Sequence, residues 1–290
     1  MKSGFVPVVG RPNVGKSTLV NALVGTKVAI TSSRPQTTRT NIRGVFNGEG
    51  LQVVFVDTPG VHRPRTALGE RLNSVVTASL ADADAVLFVV DATGKIGPGD
   101  RHVAERLARS AASVVCVVNK TDLASSGDVV ERLAVAGEWD FAAYVPASAL
   151  DRTSLEPIVD ELRAVLPEGP MFFPPDMSTD QTEEFLVGEI IREKFLARLR
   201  DELPHSLAVA VDEIVVQENG VTRIVAKLIV ERDSQLGIVV GKGGGLIKEA
   251  GSEARAELES RLSARVHLDL RAKVMKDWQE HPGMIERLGL

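Results

Sequence analysis

Between Phe5 and about Leu166, short and nearly continuous apolar runs alternate with amphipathic stretches, a rhythm that predicts a doubly wound, mostly parallel sheet with helices on both faces. The runs are Phe5–Val9, Leu51–Val56, Ala85–Val90 and Val114–Val118, with a weaker one at Phe141–Val145. Pro7 fits the first run poorly, because proline cannot donate to a strand ladder. Pro167-Glu168-Gly169-Pro170 and Pro174-Pro175 then interrupt the rhythm and mark a boundary. Beyond them the pattern predicts a helix over roughly Glu183–Leu203 and strands over Leu207–Gln217 and Val221–Val230, joined at Asn219-Gly220. A glycine cluster at Gly241–Gly245, a helix to about Leu262 and a strand over Val266–Val274 follow. The expected division is a first domain over 1–168, a proline-rich linker over 169–182 and a smaller α+β domain over 183–290.

Three short motifs fall where the predicted strands end. Gly10-Arg11-Pro12-Asn13-Val14-Gly15-Lys16-Ser17 fits G-x-x-x-x-G-K-[ST] between a strand and a helix. There, backbone amides and the helix N-terminus face phosphate oxygens, Lys16 adds a cation, and Ser17 offers a hydroxyl to Mg²⁺. Asp57-Thr58-Pro59-Gly60 ends the next predicted strand and places a carboxylate to hold Mg²⁺ through water, with Gly60 near the γ-phosphate. Asp91-Ala92-Thr93-Gly94 matches the same D-x-x-G text one strand later, and its Asp reads as an ordinary strand-end residue. In Asn119-Lys120-Thr121-Asp122, a carboxylate can accept both N1–H and the 2-amino group of guanine, donors that adenine does not present. Ser148 and the backbone of Ala149 can close over the base. In the polar loop Thr31–Thr40, Thr38 is the first choice and Thr37 the alternative for a hydroxyl that meets Mg²⁺ only with the γ-phosphate present. Val61 stands where a glutamine would orient the attacking water, so slow hydrolysis is expected, and His62 reads as a surface residue.

In the second domain, Gly241-Lys242-Gly243-Gly244 fits G-x-x-G, a loop that brings backbone close to single-stranded RNA beside a groove for about four nucleotides. Phe185, Phe195 and Trp278 are the only aromatics after Glu183, too few for a stacking platform. Positive charge must help instead. Lys242 and Lys248 flank the loop, and residues 261–276, including Arg271 and Lys273, carry a local +4.

These motifs, with the tail Val266–Val274 and Trp278, resemble the bacterial Era family within the translation-factor-related GTPases. The resemblance covers nearly the whole chain. It implies a P-loop GTPase domain followed by a type II KH domain, binding of GTP and GDP, and hydrolysis that uses Lys16, Asn13, Thr38, Asp57 and Gly60. It further implies Mg²⁺, a K⁺ ion associated with Asn13, binding of 16S rRNA near its 3′ end, and a role in 30S subunit maturation by a monomer. Two alternatives stay open: a GTP-gated RNA chaperone with incidental hydrolysis, and a signalling switch recruited to the inner face of the membrane.

Composition narrows this picture in three ways. One cysteine, Cys116, excludes an internal disulfide and suits a reducing compartment. No stretch approaches the ~20 apolar residues of a membrane span, and Phe5–Val9 runs into a glycine motif instead of a cleavage site, so a cytoplasmic protein is expected. The net charge of −5 argues against indiscriminate nucleic-acid binding, yet residues 1–48 hold seven Lys or Arg and no acid. Residues 199–290 carry 13 basic against 15 acidic side chains, so the second domain must rely on its glycine loop and basic stretch.

Overall fold

The computed structural model describes residues 1–34, 36–60, 67–110, 112–200 and 203–288, which form two compact units; the main division falls between Asp180 and Gln181, and residues 32–34, 67 and 68 group with the second unit. In the first unit the elements are β1 (Lys2–Val9), α1 (Lys16–Val24), β2 (Ile42–Gly48), β3 (Leu51–Asp57), α2 (Ala67–Ala81), β4 (Ala85–Asp91) and α3 (Pro98–Leu107). They continue with β5 (Ser113–Asn119), α4 (Ser126–Gly137), β6 (Ala143–Pro146) and α5 (Leu155–Val165). The strands form one six-stranded sheet in the order β2-β3-β1-β4-β5-β6, parallel except for β2. β3 is buried at every position, as a strand covered on both faces must be. Cys116 belongs to the same core, where burial pushes its thiol up to about 12.

Strand β2 is the element that the apolar pattern misses. Arg43, Gly44, Asn47 and Gly48 break its apolar content, and it forms because the fully buried β3 offers it an antiparallel partner from Ile42↔Asp57 to Gly48↔Leu51. Pro7 is also accommodated. It lies opposite Val56 in the β1–β3 ladder, whereas β1 meets β4 only over Val8 and Val9. Strand residues two apart point their amides to the same side. The Phe5 amide donates to the Asp84 carboxylate at 2.7 Å, so the amide that Pro7 lacks falls on that same unladdered side.

The segment read as a linker is bound along the first unit as a strap. Pro167 O accepts from Ser3 N, the Gly169 amide donates to Met1 O, and Val45 N donates to Ser178 O at 2.8 Å. Thr179 donates to Arg43 O, and Asp180 pairs with the Arg43 guanidinium at 2.5 Å. At the centre lies Gln52, a glutamine of β3 with no exposed surface. Its Oε1 accepts from the amides of Phe172 and Phe173, and its Nε2 donates to Phe173 O and Asn47 Oδ1. Gln52→Leu removes three bonds to the strap, each worth roughly 1 kcal/mol, so local opening becomes at least about tenfold more frequent. Limited chymotrypsin cleavage at Phe172 and Phe173 is expected to accelerate accordingly, with the thermal midpoint little changed.

The second unit comprises α6 (Glu183–Leu196), α7 (Leu203–Ser206), β7 (Ala208–Val216), β8 (Thr222–Val230), α8 (Asp233–Val240), α9 (Gly245–Leu262), β9 (Val266–Val274) and α10 (Pro282–Arg287). β8 is central, antiparallel to β7 and parallel to β9. Its alternate residues Ile224, Ala226, Leu228 and Val230 meet Ile191 and Phe195 of α6 and Ala250, Ala254 and Leu258 of α9 in one core. The expected helix to Leu203 ends earlier, at Leu196. Helix α8 is a second element that the sequence pattern does not predict, since Gly237 and the run Ile238–Val240 speak against a helix. Buried Gln235 starts it by accepting from the amides of Glu231 and Arg232.

Candidate functional site

The phosphate-loop residues Gly10–Ser17 link the C-terminal end of β1 to the start of α1, with Gly15 at φ 96°. A side chain at Gly15 would also place its Cβ 2.3 Å from Asn119 Nδ2, so this position requires glycine on both counts. The Lys16 ammonium curls back over the loop, 3.2 Å from Gly10 O and from Arg11 O. Burial lowers its pKa to about 8, against the pull of Asp57. Arg11 turns away and donates to buried Asp100 at 2.7 Å, which anchors the loop to the first turn of α3. Gly60 runs close beside the loop, where an added Cβ would lie 2.9 Å from Pro12. Thr58 fixes this crossing by donating to Val8 O, with Pro59 buried next to it.

Ser17, Thr38 and Asp57 converge. Ser17 Oγ and Thr38 Oγ1 both donate to Asp57 Oδ2, at 2.6 and 2.9 Å, and lie 3.0 Å from each other. The Asp57 carboxylate is fully buried, and its Oδ1 has no hydrogen-bond partner among the described residues. Burial raises its pKa, while Lys16 and the two hydroxyls oppose the rise. One orphaned carboxylate oxygen beside two hydroxyls is a hard-oxygen donor set that fits Mg²⁺, an ion that takes few protein ligands and fills its shell with phosphate and water. Thr37 and Thr38 are both buried, not solvated, and it is Thr38 whose hydroxyl reaches the carboxylate.

The base loops close on the same end of the sheet. Asn119 Nδ2 donates to Val14 O at 2.8 Å, and its Oδ1 accepts from the Ala149 amide, so one side chain ties the phosphate loop to the 148–150 turn. Lys120 spans to Asn13 O at 2.7 Å. The Thr121 amide donates to Ala147 O. Asp122 is exposed, with Oδ1 held by buried Ser148 Oγ at 2.6 Å. Val61 and His62 lie outside the described residues.

In the second unit, the turn after α8 has Gly241, Gly243 and Gly244 at φ 78°, 58° and 76°. At Gly241 a Cβ would strike Leu246 at 2.7 Å, so only glycine lets α9 start where it does. Lys242, Gly243 and Lys248 are exposed. A groove of about 360 Å³ opens between α9 and β9, lined by Ile247, Lys248, Gly251, Arg255, Leu268 and Leu270. Phe195 and Trp278 are fully buried, Trp278 donating to Ser206 O, so the groove works without aromatic stacking from them. Arg271 and Lys273 lie on the opposite face of β9 from Leu268 and Leu270, and Arg271 pairs with Asp269 at 2.8 Å. Arg255, which no sequence motif includes, takes the place at the groove wall; it lies one turn beyond Gly251 and two beyond Lys248 on α9, a spacing that could have found it.

A phosphate loop, a buried carboxylate with paired hydroxyls and a guanine-reading loop on one sheet edge, followed by a glycine-turn α+β unit, define a GTPase joined to a KH domain. The models for 50S ribosome-binding GTPases and for KH domains match residues 5–120 and 202–279. The GTPase Era of Mycolicibacterium paratuberculosis is 49% identical over 99% of this chain and 98% of its own length, and that of Mycobacterium tuberculosis is 48% identical over the same shares. Two solved Era structures, each 37% identical and covering 100% of this chain and 99% of their own, superpose with TM-scores of 0.95 and 0.94. The first holds MgGDPNP and nucleotides 1506–1542 of 16S ribosomal RNA; the second, an Aquifex aeolicus Era variant, holds GDP and AlF4⁻. The chain belongs to the Era family of GTPases, and its reaction is hydrolysis of GTP to GDP and phosphate.

Proposed function

We propose that this GTPase binds 16S rRNA near its 3′ end through the KH unit and uses its nucleotide state to time that binding during processing of 16S rRNA and assembly of the 30S subunit. The supporting observation is the groove beside Gly241–Gly244, with Lys248 and Arg255 on its wall, in a chain that matches from end to end a protein solved with that RNA. The working division is a GTPase domain over 1–168, the strap over 169–182 and the KH domain over 183–290. Among the described residues no helix is long and apolar enough to cross a membrane. A cytoplasmic monomer is the form in which these parts suffice.

In hydrolysis the backbone amides of Gly10–Ser17 and the Lys16 ammonium take up charge on the transferred phosphoryl group. Ser17, Thr38 and Asp57 would hold Mg²⁺, which supplies further charge neutralisation at the phosphates. Thr38 ties the 31–40 loop to the state of that site. Asn13 stands at the crest of the phosphate loop and is the residue assigned to K⁺. Turnover in K⁺ is expected to exceed that in Na⁺ at equal ionic strength, and equal rates would withdraw this role from Asn13. With Val61 in the glutamine position, single-turnover hydrolysis without a partner is expected to be slow.

RNA binding is tested by titrating a single-stranded fragment of the 16S rRNA 3′ end at several salt concentrations. Lys242→Ala with Lys248→Ala is expected to weaken binding and to flatten the log–log salt slope by about 1.4, since each phosphate contact to a single strand contributes about 0.7. An unchanged slope would remove both lysines from the interface.

A further inference from the structure

Asp91 lies at the end of β4, in register with Asn119 of β5, and both of its carboxylate oxygens are engaged. Oδ1 accepts from the Thr93 amide at 2.9 Å and from its hydroxyl at 2.6 Å. Oδ2 accepts from the Lys120 ammonium at 2.6 Å, and that ammonium donates at the same time to Asn13 O at 2.7 Å. The residue that carries this ammonium and the one whose carbonyl receives it are both left-handed, Lys120 at φ 67° and Asn13 at φ 66°. Such backbone is disfavoured for side chains other than glycine and persists only where contacts hold it. The Lys120 side chain keeps 29% of its surface exposed, so water competes for the ammonium, and the Asp91 carboxylate is what holds it inward. Burial raises the Asp91 pKa, and the donors on Lys120 and Thr93 outweigh that effect, leaving it below the ordinary carboxylate value.

We propose that Asp91 is a positioning residue of the nucleotide site, acting through Lys120 on the Asn13 carbonyl to hold the crest of the phosphate loop in its left-handed form. The inference rests on the reading of Gly10–Ser17 as the phosphate loop. Its place explains why an aspartate stands at a strand end that does not face the Ser17–Thr38–Asp57 cluster.

The experiment is a double-mutant cycle on release of fluorescent GDP, with Asp91→Ala, Lys120→Met and the pair. Asp91→Ala alone is expected to speed release about tenfold, Asp91→Asn less, and Asp91→Ala in the Lys120→Met background not at all. Thermal midpoints of the nucleotide-free proteins separate this from general destabilisation, which would act equally in both backgrounds. Additive effects, or an unchanged release rate in Asp91→Ala, would overturn the proposal. If Asp91→Ala does not fold, Asp91→Asn runs the same cycle with the side-chain shape kept. Failure of the phosphate-loop reading would show differently, as no binding of fluorescent GDP by the unaltered protein.

Discussion

Asp122→Asn is expected to weaken GTP binding by about 10²–10⁴-fold, because two hydrogen bonds to a carboxylate, each worth about 1.5–3 kcal/mol, lose their charged acceptor. The carboxylate is already aimed before the base arrives, since Ser148, itself buried, holds one oxygen at 2.6 Å and so fixes the direction of the other. ATP gains nothing from the aspartate, so its weak binding is expected to change little and the preference between the two nucleotides to collapse. Ser148→Ala is expected to give a smaller loss in the same direction, since the carboxylate remains but rotates. Competition of GTP and ATP against fluorescent GDP, measured on the three proteins, decides it. A variant that kept its preference for GTP would show that the base is read elsewhere.

Lys16→Met is expected to lower GTP turnover by about 10²–10³-fold, the usual consequence of removing one preorganised charge donor from a transition state. Stability moves the other way. Burial holds the Lys16 pKa at about 8 instead of 10.5 in the nucleotide-free protein. Below pH 8 folded and unfolded chains are both charged there, and the fold bears the whole cost of burying the ammonium, about 3 kcal/mol from that displacement. Between pH 8 and 10.5 the folded lysine is the first to lose its proton, so the stability of the nucleotide-free protein rises across that window and levels off above it. Lys16→Met is therefore expected to raise the nucleotide-free melting temperature at pH 7 and to remove the rise seen between pH 8 and 10.5. Phosphate binding favours the charged lysine, so affinity for GDP is expected to fall above pH 8 in the unaltered protein. Calorimetric scans against pH, with and without GDP, check both signs.

The parts of the site that are legible in the sequence are those in which function lies in consecutive residues. The phosphate loop, Asp57–Gly60 and Asn119–Asp122 each follow a buried apolar strand, and parallel strands bring such ends to one edge. Thr38 cannot be separated from Thr37 by sequence, because an irregular loop has no period to say which hydroxyl turns inward. Asp91 reads in the sequence only as a second D-x-x-G at a strand end, since Lys120, the partner that gives it a role, is brought to it by the register of β4 on β5. The placement of Arg271 and Lys273 away from the groove is written in the strand itself: Leu268, Leu270, Ala272 and Val274 alternate with them, and alternation puts the two sets on different faces. Their local charge of +4 obscures that simpler signal. Gln52 reads as an interruption in the apolar run Leu51–Val56, and only the structure shows a strap that takes three of its hydrogen bonds, with Asn47 taking the fourth.

That strap sets the length of a leash. As free chain, residues 169–182 would reach about 50 Å, at about 3.5 Å per residue. Bound along the first unit from Pro167 to Asp180, the chain gives up that reach. A buried glutamine in a sheet strand thereby makes residues 169–180 part of the first unit's scaffold and not a spacer.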